Sequence, residues 1–448
     1  MKVKIQIPDK AAELVEILHK NGHKAYVVGG CVRDSILGQA PCDWDICTSA
    51  TPEQMLEVFN HMRVIETGIE HGTLTVIYKE EPFEITTFRI DGSYTDNRRP
   101  DSVSFTRDIK EDLRRRDFTI NAMAYNSDEG LCDPFNGAFD IERKLIRCVG
   151  NPKERFEEDA LRILRALRFS CKTEFDIDEQ TSFQIHGQSQ SLKNISAERI
   201  RTELCKMIVC KSFPKKLEEY RDVFSVFIPV ICDMDGFCQN NPYHIYDVFM
   251  HTVNALRGCI SLELETRLAL LFHDCGKPFT YSEDEEGVGH FYSHAKKSCE
   301  ICEETLKNLK LDNKTIKDVT QLVLYHDAPI ENTKKNVKKW LRKLGYEQLN
   351  RLIDVKIGDV SALNPLYTKG RTAQLEDIRS LMEQIKKENE CFSLKDLAVN
   401  GNDLILAGCN KGKAVGDTLE KLLDAVIGEM VNNNKEELLE FAKKTALL

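Results

Sequence analysis

The sequence predicts a small α+β head, built on a mixed β-sheet with helices, followed by an all-α neck, body and tail. Strand-forming stretches are concentrated in residues 1–145, whereas apolar residues at three- and four-residue spacing dominate from about 146 onward. The length of 448 residues also exceeds what one hydrophobic core usually supports. We therefore expect a head at 1–145, a neck at 146–235, a body at 236–375 and a tail at 376–448.

The composition is that of an ordinary globular chain, with 42% hydrophobic and 30% charged residues. No apolar run approaches the ~20 residues that cross a bilayer, and the N-terminus lacks signal-peptide features. Sixteen scattered cysteines suit reduced thiols in the cytoplasm, and the Cys299–Cys302 pair, inside a helical pattern, favours packing over a metal site. The net charge of -10 argues against a wholly basic nucleic-acid binder but permits a local basic cleft.

The strands and helices of the head follow from residue type and turn signals. The stretches "KAYVVGG", "DWDICTS", "GTLTVIYKE" and "PFEITTFRI" are rich in β-branched and aromatic residues, which predicts strands. The stretches "CVRDSILG" and "TPEQMLEVFN" predict helices, the second with Thr51 as its N-cap and Pro52 at its first position.

A pair of carboxylates lies in "PCDWDICTSA". On a strand, Asp43 and Asp45 project to the same side, and a shared divalent cation removes the repulsion between them. Hard oxygen ligands favour Mg²⁺, which keeps positions open for substrate phosphates. Glu84 is a candidate third carboxylate if its strand lies alongside. The alternatives are turn-forming aspartates and an exposed strand glutamate.

A glycine turn precedes this pair in "VVGGCVRD". Gly29 and Gly30 follow a strand and begin a helix, a geometry that offers backbone N–H groups to a phosphate. Arg33, one turn into that helix, is a candidate second phosphate contact.

A basic cluster follows in "EDLRRRDFTINAMAYN", where three consecutive arginines end at Arg116. Three cations together suit a polyphosphate, whereas Asp117 and Asn121 are suited to hydrogen-bond a ribose. A surface basic run is the alternative.

The stretch "EEDALRILRALRF" places an acid and three arginines at three-residue spacing, hence on one face of a predicted helix: Asp159, Arg162, Arg165 and Arg168. This face lines either solvent or a cleft. A guanidinium only donates hydrogen bonds and a carboxylate only accepts them.

Two further stretches are expected to be architectural. Asp140, in "DPFNGAFDIERKLIRCVG", caps or braces a turn. Ser196, in "SAERIRTEL", fits an N-cap, and Glu198, Arg199 and Arg201 after it are expected to be structural.

Together these motifs resemble the class II (bacterial-type) CCA-adding tRNA nucleotidyltransferases and the related poly(A) polymerases. The resemblance implies a nucleotidyltransferase head in which Asp43 and Asp45 are catalytic and bind Mg²⁺, with Glu84 as the candidate third catalytic carboxylate. It also implies that Arg116 contacts the incoming nucleotide and Asp117 selects ribose. Asp159 and Arg162 would read CTP and ATP, supported by Arg165 and Arg168.

The partners implied by the resemblance are tRNA, CTP and ATP, and no template is needed. The polar segment "RIDGSYTDNRRPDSVSF" (89–105) resembles the loop that accompanies addition of the terminal A. The alternatives are a poly(A) polymerase, an enzyme that adds only A, and a phosphohydrolase acting on RNA ends.

The predicted body carries histidines that resemble an HD-type metal-dependent phosphohydrolase domain, in "HIYDVFMHTVNAL" and "LALLFHDCGKP". The resemblance implies ligation by His251, His273, Asp274 and Asp359, with His294 and His326 as candidates for a second site. Imidazole and carboxylate ligands suit Mn, Ni, Co or Fe. A helical scaffold with hydrogen-bonded histidines is the alternative. The lysines of "NTKKNVKKWLRK" indicate either a solvated helix face or an RNA contact.

Overall fold

The computed structural model describes residues 4–92 and 102–445. The chain divides into two compact units, Met1–Ile228 and Pro229–Leu448. No helix in the described part of the chain is long and apolar enough to cross a membrane.

The head contains fifteen of the helices and strands of the first unit within the described residues. In chain order these are α1 (Asp9–Lys20), β1 (Ala25–Val28), α2 (Gly30–Ile36), β2 (Ile46–Thr48), α3 (Pro52–Val58), β3 (Arg63–Gly68), β4 (Thr73–Tyr78), β5 (Glu81–Thr87), β6 (Arg89–Asp91), β7 (Val103–Phe105), α4 (Ile109–Arg114), β8 (Ala124–Asn126), β9 (Gly130–Cys132), α5 (Gly137–Glu142) and β10 (Leu145–Ile146).

Seven of these strands form one sheet in the order β3-β4-β5-β2-β1-β8-β9. The pairing of β2 with β5 is parallel and the other pairs are antiparallel, so the sheet is mixed, as predicted. Its central strands are the most apolar, and all four residues of β1 are buried. The short hairpin β6–β7 is separate, and residues 93–101, the centre of the predicted loop, lie outside the described residues.

Local signals set the helix ends as expected at α3. The Thr51 hydroxyl accepts from the backbone N–H of Gln54, the Gln54 side chain accepts from the Thr51 N–H, and Pro52 is the first helical residue. Asp140 is the predicted brace: it is buried, accepts from the Thr119 hydroxyl at 2.7 Å, and pairs with Arg147. Ser196 precedes its helix as predicted, but its side chain makes no capping hydrogen bond.

The rest of the first unit is helical apart from one strand: α6 (Pro152–Glu158), α7 (Leu161–Thr173), β11 (Asp176–Ile177), α8 (Glu179–Gly187), α9 (Ala197–Ile208), α10 (Phe213–Glu219) and α11 (Arg221–Phe224). The all-α expectation for the neck is corrected by β11, which pairs in parallel with β10. That pair crosses the head–neck boundary predicted at 145/146.

The second unit is helical with one small hairpin: α12 (Ile231–Met234), α13 (Val248–Gly258), α14 (Leu264–Phe272), β12 (Ser282–Glu283), β13 (Gly289–His290), α15 (His294–Asn308), α16 (Asn313–Tyr325), α17 (Lys334–Leu344), α18 (Tyr346–Ser361), α19 (Pro365–Thr368), α20 (Arg371–Lys387), α21 (Gly401–Leu406), α22 (Lys413–Ile427) and α23 (Lys435–Lys444). The predicted boundary at 375/376 falls inside α20, whereas a separate buried cluster begins at Cys391. The body–tail boundary is therefore displaced toward the C-terminus.

Candidate functional site

The paired carboxylates lie beside a sheet strand but not on it. Asp43 and Asp45 belong to the extended segment that ends where β2 begins at Ile46. The carbonyl of Asp45 accepts from the Val28 N–H at 3.0 Å, which ties this segment to β1. The prediction that both residues are part of a strand is corrected, because ladder pairing starts only after the second aspartate.

Glu84 is on the neighbouring strand at the same level. Ile46 is in parallel register with Ile85, so Asp45, just before β2, and Glu84 of β5 each precede one residue of this pair. Burial raises the pKa of Asp45, the charges of Asp43 and Glu84 raise it further, and Arg116 lowers it, which gives about 6. Asp43 and Glu84 therefore both repel the charge of Asp45 beside the central strands of the sheet, and three carboxylates are a donor set that fits a hard divalent cation.

These three carboxylates are not tightly clustered. Their oxygens do not all come within 4.8 Å of one another, unlike two other groups of ligand side chains in the described part of the chain. The oxygens would have to move closer together to hold one ion between them.

The glycine turn positions an arginine beside the carboxylates. Gly29 has φ +81°, and a Cβ there would lie 2.8 Å from Nη1 of Arg116. Arg116 also pairs with Asp112 at 3.5 Å and interacts with the charge of Asp45. The Gly29 N–H donates to the Met123 carbonyl at 3.0 Å, so this N–H is not free to bind phosphate, contrary to expectation.

Arg33 is turned inward. Its side chain is buried, donates to Asp34 at 2.7 Å and to the Asn121 side-chain oxygen at 2.5 Å, and lies over the Phe169 ring. The expected phosphate contact is thus not available to Arg33 in this arrangement, because its donors bind neighbouring side chains.

The basic cluster is divided rather than continuous. Arg114 is exposed and pairs with Glu111, whereas Arg115 donates to Asp112 at 2.8 and 3.0 Å. Of these three arginines, Arg116 is the one whose charge acts on Asp45. Sequence reasoning missed Asp112, a fully buried acid three and four residues before the two arginines that it binds, a spacing that could have revealed it.

Asp117 is a buried hub. One of its oxygens accepts from the Asn121 amide at 3.1 Å, and the other accepts from Nε and Nη2 of Arg165. Burial alone would raise the pKa of Asp117, but the Arg165 guanidinium and the Asn121 hydrogen bond lower it to about 2. Arg165 thus links the segment that follows α4, where Asp117 lies, to α7.

The acid of "EEDALRILRALRF" is separated from the three arginines by a helix break. The helix α6 ends at Glu158, Asp159 has extended backbone angles, and α7 starts at Leu161. The prediction of one continuous helical face is therefore wrong at its first residue. The apolar positions are buried as expected: Leu161, Ile163, Leu164 and Leu167.

Arg162 and Arg168 are both held by acids. Arg162 is 9% exposed, pairs with Glu158, and donates to the carbonyls of Arg155 at 3.1 Å and Arg115 at 3.0 Å. Arg168 pairs with Glu203 of α9. Protein acceptors therefore already bind N–H groups of both arginines.

The second unit contains a compact group of metal-ligand side chains from α13, from the turn that directly follows α14, and from α18. The Nε2 atom of His251 lies 3.2 Å from Nε2 of His273, 3.3 Å from Oδ2 of Asp274 and 3.0 Å from Oδ1 of Asp359. All four predicted ligands are therefore together. A Cβ on Gly358 would lie 2.9 Å from the Ala255 carbonyl, so this glycine permits the close approach of α18 to α13 that presents Asp359.

A second group shares one ligand with the first. The other oxygen of Asp274, Oδ1, lies 3.5 Å from Nε2 of both His294 and His326, and these two nitrogens are 3.2 Å apart. Asp274 therefore faces both groups, one oxygen to each.

The histidines are oriented for ligation. His273, His294 and His326 each place Nδ1 against a backbone carbonyl at 2.7–2.9 Å, where it must donate. Neutral rings then present Nε2 lone pairs to the group, and two lone pairs 3.2 Å apart repel unless a proton or a cation lies between them. Burial lowers the pKa of His273, but Asp274 and Asp359 raise it to about 10, so a proton occupies this position when no cation does.

A cavity of about 810 Å³ opens onto both groups. Its lining includes Lys277, His294, His326, Lys356 and Asp359. Lys277 pairs with Asp274 at 2.6 Å, and Lys356 donates to two backbone carbonyls. The arrangement combines candidate metal ligands with cations that suit a phosphate ester.

The remaining sequence expectations have mixed outcomes. Cys302 is fully buried on α15, and neither cysteine of its pair belongs to a metal-ligand group in the described chain. On α17, Lys334 and Lys338 pair with Glu390, and Arg342 pairs with Glu420 and Asp424. The two lysines join α17 to the segment after α20, and Arg342 joins α17 to α22, which reduces the surface left for RNA.

Comparisons with known proteins match both units. Residues 25–147 match the family "Poly A polymerase head domain", 174–231 match "Probable RNA and SrmB- binding site of polymerase A", and 279–442 match "tRNA nucleotidyltransferase domain 2 putative". CCA-adding enzymes of Staphylococcus aureus strains MSSA476 and MRSA252 are 31% and 32% identical over 440 residues, with 97% of each chain covered.

Solved structures of CCA-adding enzymes are also similar to this chain. The CCA-adding enzyme of Bacillus stearothermophilus in complex with CTP aligns with a TM-score of 0.71 and 26% identity, over 98% of both chains. The Thermotoga maritima CCA-adding enzyme complexed with tRNA_CCA shares the fold, with a TM-score of 0.64 and 21% identity over 99% of this chain and 97% of that one.

Proposed function

The chain belongs to the family of the CCA-adding enzymes, and we propose that it adds CCA to tRNA 3′ ends from CTP and ATP without a template. The observation that carries this proposal is the set of three carboxylates beside the central strands of the head sheet, where Asp43 and Glu84 help to raise the pKa of Asp45 to about 6. A fold kept only for RNA binding would gain nothing from that repulsion.

The proposed reaction is nucleotidyl transfer. The tRNA 3′ oxygen forms a bond to the α-phosphorus of CTP or ATP, the bond from that phosphorus to the bridging oxygen breaks, and pyrophosphate leaves with the electron pair. Asp43, Asp45 and Glu84 would hold Mg²⁺, which supplies charge neutralisation for the phosphates. The attacking hydroxyl loses its proton to solvent or to a carboxylate in the same region.

The nucleotide is proposed to lie between the carboxylates and α7. Arg116, held beside Gly29, is the cation best placed to contact the triphosphate. Asp117 is proposed to act on the ribose through its network with Asn121, and Arg33 to support that network rather than bind phosphate directly.

Base selection is proposed for Asp159 and Arg162, as an acceptor and a donor for the amine and ring nitrogen of cytosine or adenine. Arg162 would exchange its present acceptors for the base, while Arg165 and Arg168 hold α7 through Asp117 and Glu203.

One experiment separates the proposal from its relatives. The protein is incubated with labelled CTP or ATP and with tRNAs that end before CCA, after CC or after CCA. CCA addition predicts C incorporation on the first tRNA and one A on the second. Extension beyond one A would indicate a poly(A) polymerase, and A without C would indicate an A-adding enzyme. Failure to incorporate C overturns the proposal. The tRNA substrate and the free cysteines fit a cytoplasmic enzyme.

A second candidate function concerns the second unit. We propose that His251, His273, Asp274 and Asp359 hold a divalent transition metal (Mn, Ni, Co or Fe) and that His294 and His326, with Asp274, can hold another. The supporting observation is the convergence of the histidine Nε2 atoms on Asp274 and Asp359 beside a cavity lined by lysines. The corresponding chemistry is metal-assisted hydrolysis of a phosphate ester. Phosphate release from RNA ends, lost in His273→Ala but retained in Asp43→Ala, is the result expected.

A further inference from the structure

Asp159 lies at a break between two helices, so its side chain needs an external constraint. The residue follows α6 with φ -146° and ψ 103°, and α7 starts two residues later. A carboxylate in such a connection has no regular hydrogen-bonding pattern to fix its direction. Base selection, by contrast, requires an acceptor held in one place.

Two contacts fix both oxygens of this carboxylate. Oδ1 accepts from the backbone N–H of Leu161 at 3.0 Å, and Oδ2 accepts from Nη2 of Arg199 at 2.7 Å. The two side chains are only 15% and 23% exposed, so solvent screens this pair weakly.

Arg199 is on α9, which packs against α7. The same two helices are joined by Arg168 of α7 and the buried Glu203 of α9. Arg168 thus binds a carboxylate of α9, whereas Arg199 of α9 binds Asp159 in the connection before α7. The Arg168–Glu203 pair holds α9 against α7, so the position of Arg199 does not depend on the connection between α6 and α7.

We infer that Arg199 is a positioning residue for base selection: it fixes the Asp159 carboxylate so that its remaining lone pairs accept from the exocyclic amine of cytosine or adenine. The inference rests on the proposed function of Asp159. Arg199 thereby has a role in choosing the nucleotide, beyond the structural role expected from the sequence.

Loss of Arg199 should reduce the discrimination between CTP and UTP more than it reduces nucleotidyl transfer itself. A charge-assisted hydrogen bond of this kind corresponds to a factor of about 10 to 100 in an equilibrium constant. A freely rotating Asp159 no longer distinguishes the cytosine amine from the uracil carbonyl. We expect the ratio of kcat/KM for CTP to that for UTP to fall about 10- to 100-fold in Arg199→Met, mainly through the CTP value.

The test uses the full chain and a tRNA that lacks CCA, with CTP and UTP measured for the parent, Arg199→Met, Arg199→Lys and Asp159→Ala. Lysine keeps the charge but loses the planar fork, so Arg199→Lys should fall between the parent and Arg199→Met. If Arg199→Met does not fold, Arg199→Lys alone decides. Lys206→Ala, an exposed cation of the same helix, is the control and should keep the parent ratio.

The outcomes separate the two proposals. No C incorporation by the parent overturns the proposed function. A parent that discriminates, together with unchanged ratios in the folded Arg199 variants, overturns the positioning role even if their melting temperature falls. An unchanged ratio in Asp159→Ala overturns the inference at its premise. A lowered ratio in both the Asp159 and Arg199 variants supports it.

Discussion

Arg165 donates from both Nε and Nη2 to a single oxygen of Asp117, at 2.8 and 2.6 Å, and joins α7 to the segment that follows α4. The pair is partly buried: the Asp117 side chain is 8% exposed and the Arg165 side chain is 34% exposed. It connects the segment proposed to act on the ribose with the helix proposed to help in base selection, and the strength of this ion pair can be tested without any substrate.

Arg165→Met should lower the free energy of unfolding of the first unit by about 2 kcal/mol at pH 7, because the pKa of Asp117 lies near 2 in the folded chain against about 3.9 when unfolded. Because the folded pKa is lowered, the ionised carboxylate stabilises the fold above about pH 4, and this stabilisation is lost as the pH falls through 2. The difference in stability between the parent and Arg165→Met should therefore shrink below pH 4. Urea unfolding followed by Trp44 fluorescence in a Trp340→Phe background measures it.

The control for this change is Arg114→Met, which removes an exposed ion pair with Glu111. Equal losses of stability in the two variants would contradict the role of the Asp117–Arg165 pair.

Asp45→Asn should stabilise the metal-free protein at pH 7.5 by about 1–2 kcal/mol while abolishing nucleotidyl transfer. The folded pKa of Asp45 is raised to about 6, so its ionised form costs free energy above that pH, and the cost vanishes below about pH 4. The advantage of the variant should therefore disappear on acidification. Unfolding by the same Trp44 signal checks this, with the exposed Glu57→Gln as control. A variant no more stable than its parent at pH 7.5 would contradict the prediction.

Gly29→Ala should reduce kcat/KM for CTP and ATP alike by about 10- to 100-fold, because the new Cβ would lie 2.8 Å from Nη1 of Arg116 and displace its guanidinium. Gly22→Ala is a matched control: Gly22 has the same φ of +81°, but a Cβ there meets nothing within 4 Å. Both variants should lose about 1 kcal/mol from backbone strain. Equal activity losses in the two variants would mean that strain, not Arg116, is responsible.

The full chain should retain two transition-metal ions per molecule after dialysis against Mn²⁺ or Ni²⁺, and His294→Ala should retain one. The physical reason is the loss of one of three ligands in the second group, while the four ligands of the first remain. Metal content by elemental analysis is the readout, with the exposed His61→Ala as control. Metal binding should also release protons, since the pKa of His273 is raised to about 10. A single ion in the parent would contradict the second site.

Lys338→Met should destabilise the second unit by about 2–4 kcal/mol, because Lys338 is 7% exposed and its loss leaves Glu390 without one of its two cations. The neighbouring exposed Lys339→Met should change stability by less than about 0.5 kcal/mol. Trp340 fluorescence during urea unfolding reports both variants. Comparable effects of the two substitutions would show that the buried ion pair is not a major contribution.

Residue order alone was sufficient for the class of the head and for the motifs that mark the family. Alternation of apolar residues and turn signals predicts β1, β2, β4 and β5, and a Thr–Pro start predicts α3, because these features depend on neighbours along the chain. The sequence also predicted Glu84 as a partner of the Asp43–Asp45 pair, from its place on a strand. It predicted Asp359 as a partner of the histidines of the second unit, by resemblance.

Only the tertiary structure decided which side chains are free to act. Arg33, Arg162 and Arg165 read as available cations in the sequence, yet each binds a protein acceptor, and the partners Asn121, Glu158 and Asp117 include residues up to 88 positions away. Charge and spacing fix what a side chain can bind, but its actual partner depends on packing between distant segments, where burial makes an unpaired charge costly. The same reason explains why Arg199 reads as structural in the sequence and as the partner of Asp159 in the fold.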